Sequence, residues 1–418
     1  MPCRVAASPK VVTGPADRPQ PETGQARGGP LVSVIMANFQ AGAKLVPALR
    51  SVLGQTMSDL EVIVSDDASQ DNSLELVRSM MQADARIRLI AHETNRGPAH
   101  CRNRALDMAR GSWMAVVDSD DILHPERFER LLAAADEFAA DMVADNLLLF
   151  HEDGSRPGLM LEAQDAGSFV ISPRDWVLAG LDGSPALGYL KPMIRTDRLA
   201  GRRYDEKLRI GEDYDLVLRL LLAEARMVVI REPFYLYRRH SASISHRLSV
   251  RDMQAMVDRQ AALAALHEPL PTELSAAFAR RQASLQAGLS YEQLVASIKS
   301  RHVLQTLRLL GANPRHVSRL ARSLIEGRRR RPGRPAAPSP TGTVVLGARG
   351  IPGASHEVPD YVPAHRVDWS AKAPHPLWRD LASYAGSRCV ALDLAGRYAA
   401  GFIPEVELEA QAAPLEAS

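Results

Sequence analysis

The chain has 418 residues, 46% of them hydrophobic and 24% charged, which is the make-up of a globular protein longer than one ordinary domain rather than a disordered or fibrous one. Fifty-one Lys and Arg stand against 49 Asp and Glu, so no overall field directs the chain to nucleic acid, and any basic contact is local. Cys3, Cys101 and Cys389 are few, far apart and odd in number, which argues against a disulfide framework or a zinc site and suits free thiols in a reducing compartment.

Residues 1–30 mix Pro, Gly, Ala and Arg without the apolar stretch of a signal peptide and are expected to form a disordered tail. No later segment offers the about 20 apolar residues that span a bilayer. The expected location is therefore cytoplasmic, at most peripheral at the inner face of the plasma membrane. From Leu31, short apolar runs alternate with amphipathic stretches: LVSVIMA, AKLVPALRSVLGQT, LEVIVSD, SLELVRSMMQ, RIRLIAH, PAHCRNRALDMARG and WMAVVDSD. The runs are continuous rather than alternating, as in parallel strands covered on both faces, and the connections are helix-length. Residues 31–247 thus read as one α/β domain of the Rossmann-like, doubly wound kind, with a mostly parallel sheet and helices on both faces.

Beyond it the strand signals stop. MQAMVDRQAALAAL, ELSAAFARRQASLQAGL and QLVASIKSRHVLQTLRLLG carry apolar residues at helical spacing, and predict a helical appendage over 248–326. Residues 327–342, with four consecutive arginines and repeated prolines, cannot bury a core and mark a basic linker. Arg328–Arg331 read as a solvated run, with a peripheral membrane contact as the alternative. A small segment of unassigned role, 343–418, follows, with strand-like runs at TVVL and RCVALDL. Gly347, Gly350 and Gly353 after TVVL are similar to a phosphate-binding turn, but Pro352 and Pro359 interrupt the helix that should follow, so a plain loop is expected.

In an open parallel sheet, ligands bind outside the carboxyl ends of the strands. The first strand ends at Ala37, Asn38 and Phe39, the second at Asp66 and Asp67, and the fourth at Asp118, Ser119, Asp120 and Asp121. Carboxylates converging on one edge repel each other unless a cation or donor compensates, and Mg²⁺ or Mn²⁺ carrying a diphosphate would do so. Helix capping would need one acid; three within four positions after the buried run WMAVV point to a ligand. Asp66 and Asp67 alone read equally well as an Asx turn. Glu212, Asp213 and Asp215 precede the apolar run LVLRLLLAEA, where acids suit a helix N-terminus; the functional alternative is a general base.

Taken together, VSVIMANFQ, EVIVSDDASQDNS, NRGPAHCRNRALDMARG, VVDSDD and GEDYDLVLRL resemble, in order and spacing, the family 2 glycosyltransferases of the GT-A fold. The resemblance covers about residues 31–245. It implies that Asp67 meets the uracil, that Ala37 and Phe39 line the base, that Asp118, Asp120 and Asp121 meet the ribose and the metal-bound diphosphate, and that Asp213 is the catalytic base. Asp120 and Asp121 are the implied metal ligands. The family usually has Pro where Ala37 stands and Asn where Gln40 stands; neither change removes a catalytic group. GYLKPMIR and YRRHSASIS look like segments of exopolysaccharide-assembling members, in which the second closes over the diphosphate, so Arg238 and His240 are a candidate anion clamp.

The function these residues imply is inverting transfer of a hexose from a nucleotide-sugar, a UDP-sugar above all, to a saccharide or lipid-linked saccharide in polysaccharide biosynthesis. A sugar-1-phosphate nucleotidyltransferase would need a Gly-rich, basic loop after the first strand, where the chain reads ANFQAGAK. A non-catalytic scaffold of an assembly complex would not need the acids at 120, 121 and 213.

Overall fold

The computed structural model describes residues 29–151, 158–161, 167–239 and 248–313, residue 320, and the backbone of four strands between 343 and 408. Val32–Asn38 form β1, buried at every position except Ala37, the pattern of a central strand covered on both faces. A 3₁₀ turn at Gly42–Lys44 leads into α1 (Leu45–Leu53), whose Leu45, Ala48, Leu49 and Val52 make one buried stripe at helical spacing. Then follow β2 (Leu60–Asp66), α2 (Ser73–Ala83), β3 (Ile87–Ala91), α3 (Pro98–Met108) and β4 (Trp113–Val116). This first half is the expected β-α rhythm.

The second half is less regular. It comprises β5 (Ile122–Leu123), α4 (Arg127–Glu137), β6 (Met142–His151), β7 (Gly158–Leu159), β8 (Phe169–Ile171), α5 (Pro173–Leu178), β9 (Met193–Arg195), α6 (Thr196–Leu199), α7 (Glu212–Leu222) and β10 (Met227–Arg239). The ten-stranded sheet runs β3-β2-β1-β4-β9-β6-β10-β5, with β7 beside β6 and β8 beside β10. Neighbours β3, β2, β1 and β4 are parallel, as are β6 and β10, whereas β9 runs antiparallel between β4 and β6. Strand order reverses between β1 and β4, which opens a crevice at their carboxyl ends.

The helices α8 (Val250–Leu266), α9 (Thr272–Lys299) and α10 (Val303–Ala312) follow. The first begins with a capping box, Ser249 accepting from the Asp252 amide while Asp252 returns to Ser249. Leu263, Ala277 and Phe278 belong to the same apolar cluster as the sheet, so α8 and α9 extend its core rather than stand apart from it. Strands β11 (Thr343–Gly347), β12 (Tyr361–Arg366), β13 (Arg388–Ala391) and β14 (Glu407–Leu408) pair as a parallel sheet in the order β12-β11-β13-β14. β11 and β13 hold the two runs read as strands. Gly350 and Gly353 lie outside the described residues, as do residues 1–28 and the arginine run at 328–331.

Candidate active site

The carboxyl ends of β1 and β2 are in register, Asn38 opposite Asp66. Asp66 is fully buried and accepts from the Ser69 amide at 2.8 Å, the Ser69 hydroxyl at 2.7 Å and Asn38 Nδ2 at 2.6 Å. It thereby makes the turn that the sequence offered as one reading of the Asp pair. Asp67 points elsewhere. Its Oδ1 accepts from the Arg96 amide at 2.7 Å and its Oδ2 from the Gly97 amide at 2.8 Å, where Gly97 precedes α3 at φ 90°, in the left-handed region glycine tolerates. Ala37 is partly exposed, and Phe39 is 47% exposed just beyond β1. Cys101, on the buried side of α3, is a free thiol pushed up to about 12, first by burial and then by the nearby Asp67 charge.

After β4 the chain turns through Asp118–Asp121. None of these acids caps α4, whose N-cap makes no side-chain hydrogen bond, and the helix starts at Arg127, two residues past Pro125. Asp121 turns inward: it is 1% exposed, its Oδ2 accepts from the Tyr235 hydroxyl at 2.7 Å and its Oδ1 from the Arg238 amide at 2.7 Å. Burial, and then the charges of Asp120 and Asp118, push its pKa well above the usual carboxylate range. The sequence reading sets Asp121 on a metal beside Asp120; in the structure each of its oxygens also accepts one hydrogen bond from β10. Arg238 Nε donates to the Asp120 backbone oxygen at 2.8 Å, so Arg238 stands against the acidic turn. His240 lies outside the described residues.

Asp118 and Asp213 come together through two cations. Lys191 Nζ lies 2.8 Å from Asp118 Oδ2 and 3.2 Å from Asp213 Oδ2. The Arg102 guanidinium lies 3.1 Å from Asp118, 3.2 Å from Asp213 and 2.5 Å from Glu212. Burial works against ionising Asp118, but Lys191 and Arg102 outweigh it and hold this carboxyl at about 2. Glu212 goes the other way, raised to about 7 by burial and by the neighbouring Asp213 charge, against the pull of Arg102. Gly211, at φ 86°, sets the start of α7. The helix is held from behind: Arg259 of α8 donates to Asp215 at 2.5 Å, Arg281 of α9 lies 4.9 Å over the Tyr214 ring, and Trp176 stacks on the same ring.

A second buried pair fixes Lys191 and Tyr235. Arg127 and Asp145 are fully buried and joined at 2.8 Å. The same Nη2 also donates to the Lys191 backbone oxygen at 2.7 Å, and the guanidinium lies 4.9 Å over the Tyr235 ring. Asp145 also accepts from the Phe234 amide at 3.1 Å. Burial raises the Asp145 pKa although Arg127 pulls it down, as expected when taking charges out of water costs more than pairing returns. Sequence reasoning named neither this pair, nor Tyr235, nor the cations Arg102 and Lys191. Both cations do fall inside segments quoted for their family pattern, and Arg102 lies in HCRN, four consecutive residues that α3 buries.

Comparison with known proteins bears on this arrangement. Residues 33–185 match the model of glycosyl transferase family 2. The succinoglycan biosynthesis protein ExoO of Rhizobium meliloti is 32% identical over 302 residues, covering 69% of this chain and 84% of that protein. The succinoglycan biosynthesis protein ExoU of the same organism is 33% identical over 229 residues, covering 52% and 65%. Among solved structures, S. aureus TarS 1–349 in complex with UDP-GlcNAc superposes with a TM-score of 0.52 at 22% identity, covering 67% of this chain and 80% of that one; what is shared at that level is the fold.

Proposed function

The chain belongs to the family 2 glycosyltransferases, and we propose that it moves a hexose from a UDP-sugar, with inversion, onto a saccharide or lipid-linked saccharide during polysaccharide synthesis. The observation that carries this reading is Lys191, whose single ammonium contacts both Asp118 and Asp213. The acidic turn after β4, suited to a diphosphate, and the acid of α7, suited to a base, are thus one side chain apart. The names of ExoO and ExoU support a polysaccharide product, and the UDP-GlcNAc held by TarS supports a uridine donor.

In this mechanism Asp213 takes the proton of the acceptor hydroxyl, the oxygen attacks the anomeric carbon, and the bond from that carbon to the diphosphate oxygen breaks on the opposite face. One displacement inverts the centre. Arg102 and Lys191 keep Asp213 fixed in place, and Arg238 adds positive charge where the diphosphate leaves. Asp67 keeps lone pairs beyond those its two amide donors use, so it can still accept from a uracil N–H.

Among the described residues no three His, Cys, Asp or Glu side chains gather as a metal cage. Mg²⁺ and Mn²⁺, however, are commonly held by one or two carboxylates together with substrate phosphates and water. The partly exposed Asp120, close enough to Asp121 to raise its pKa, fits that use, and Asp120 would be the principal protein ligand. A bound divalent ion would neutralise the departing diphosphate. The test is UDP release from a panel of UDP-sugars with Mn²⁺, with Mg²⁺ and with EDTA, alongside calorimetric UDP binding. Metal-dependent release and binding are expected. Unchanged UDP affinity in EDTA would remove the metal from the scheme, and no release from any UDP-sugar would remove the uridine donor.

A further inference from the structure

A helix of ten residues, VLQTLRLLGA, normally buries one face to be stable. α10 buries no residue fully. Its inner side is anchored by Thr306, whose hydroxyl lies 2.7 Å from that of Ser297 on α9 and donates to the His302 backbone oxygen at 2.9 Å. The outer side is apolar and open: Val303 is 66% exposed, Leu304 86% and Leu307 62%. At about 100° per residue these three fall within one face, and Ile298, at the end of α9, adds a further exposed aliphatic group.

The charge around this face is one-sided. Exposed Lys299 and Arg301 precede α10, and exposed Arg308 lies on it. Between Gln293 and Arg334 the sequence holds eleven Lys and Arg against the single acid Glu326. The whole chain carries only +2, so in sequence the positive charge is concentrated in the stretch that carries α10 and follows it, while the remainder is net acidic. A stable dimer needs about 800 Å² from each partner, far more than three aliphatic side chains on a short helix supply. Leucines flanked by basic residues instead fit an interface of acyl chains under anionic headgroups.

We propose that α10 is a membrane-docking helix: Val303, Leu304 and Leu307 enter the headgroup boundary of an anionic bilayer, and Lys299, Arg301 and Arg308 meet its phosphates. This goes beyond the transfer reaction and does not depend on which sugar is moved.

The experiment is co-sedimentation of the full chain with vesicles of phosphatidylcholine alone, or of phosphatidylcholine and phosphatidylglycerol in equal parts. The double variant Leu304→Gln/Leu307→Gln is compared with the wild type, the arginines at 328–331 left in place. The wild type should bind only the vesicles with phosphatidylglycerol, and the variant about tenfold more weakly or less, with its melting temperature and UDP-sugar hydrolysis unchanged. The charge-only variant Arg301→Gln/Arg308→Gln should weaken binding in the same vesicles without altering oligomeric state. Failure of the wild type to bind would overturn the proposal. So would equal binding by the leucine variant, whether because the distant arginines suffice or, if light scattering shows a wild-type dimer that the variant loses, because a second copy covers this face.

Discussion

Asp213 and Glu212 are adjacent acids, yet their surroundings divide their roles. Asp213 touches both Lys191 and Arg102 at 3.2 Å, whereas Glu212 is buried against Arg102. Successive side chains on a helix diverge by about 100°, so the two cannot face the same way, and only one can serve as the proposed base. Asp213→Asn keeps the shape and removes the proton acceptor, and should cut turnover by about 10² or more with UDP-sugar affinity nearly unchanged; Glu212→Gln should keep more activity. Turnover near wild type in Asp213→Asn, with loss in Glu212→Gln, would move the base to Glu212. The raised Glu212 also predicts a pH effect. Its folded-state pKa of about 7 lies above the usual 4.5, so the folded state holds this proton more tightly than the unfolded one. The resulting stability is complete below about 4.5 and is lost as the pH rises through about 7. Glu212→Gln should flatten the fall in wild-type melting temperature across that window, and parallel curves would show that this carboxyl does not titrate there.

At the scale of elements, Arg127 of α4 and Asp145 of β6 join three pieces of the site: the Lys191 loop, β10 through Phe234 and Tyr235, and the helix after the acidic turn. Arg127→Met leaves a buried carboxylate unpaired and should cost about 3–5 kcal/mol in urea unfolding. Adding Asp145→Leu should recover most of that, short of the roughly 1 kcal/mol belonging to the Phe234 amide it strands. Strict additivity of the two single changes would refute the coupling. The strands β1 to β4 and helix α7 were legible because continuous apolar runs and an acid-led apolar helix leave strong periodic signals. Strands of two or three residues, β5, β7, β8 and β9, left none, and they are the ones that make the second half of the sheet mixed. The acids of the site were legible as clusters. Their cations were not, since any of 51 basic residues could have met them, and only the packing of α3 and the Lys191 loop selects which do.

For the molecule as a whole, motif spacing drew a boundary near residue 247, but the apolar cluster crosses it through Leu263, Ala277 and Phe278, and α7 is held by Arg259 and Arg281 from beyond it. A chain ended at residue 247 should therefore be insoluble or fail to melt cooperatively, whereas one ended at residue 313 should retain a cooperative transition; a well-folded shorter chain would restore the boundary. Cys101 bears on the same cooperativity. Its thiol is fully buried on α3 and ionises only at about 12, so at neutral pH an alkylating reagent reaches it only in the moments when the wall between β2 and α3 parts. The modification rate at this one sulfur is thus a clock for the opening of the sheet at the carboxyl ends of β1 and β2, and if the proposed UDP-sugar seats there it should slow that clock.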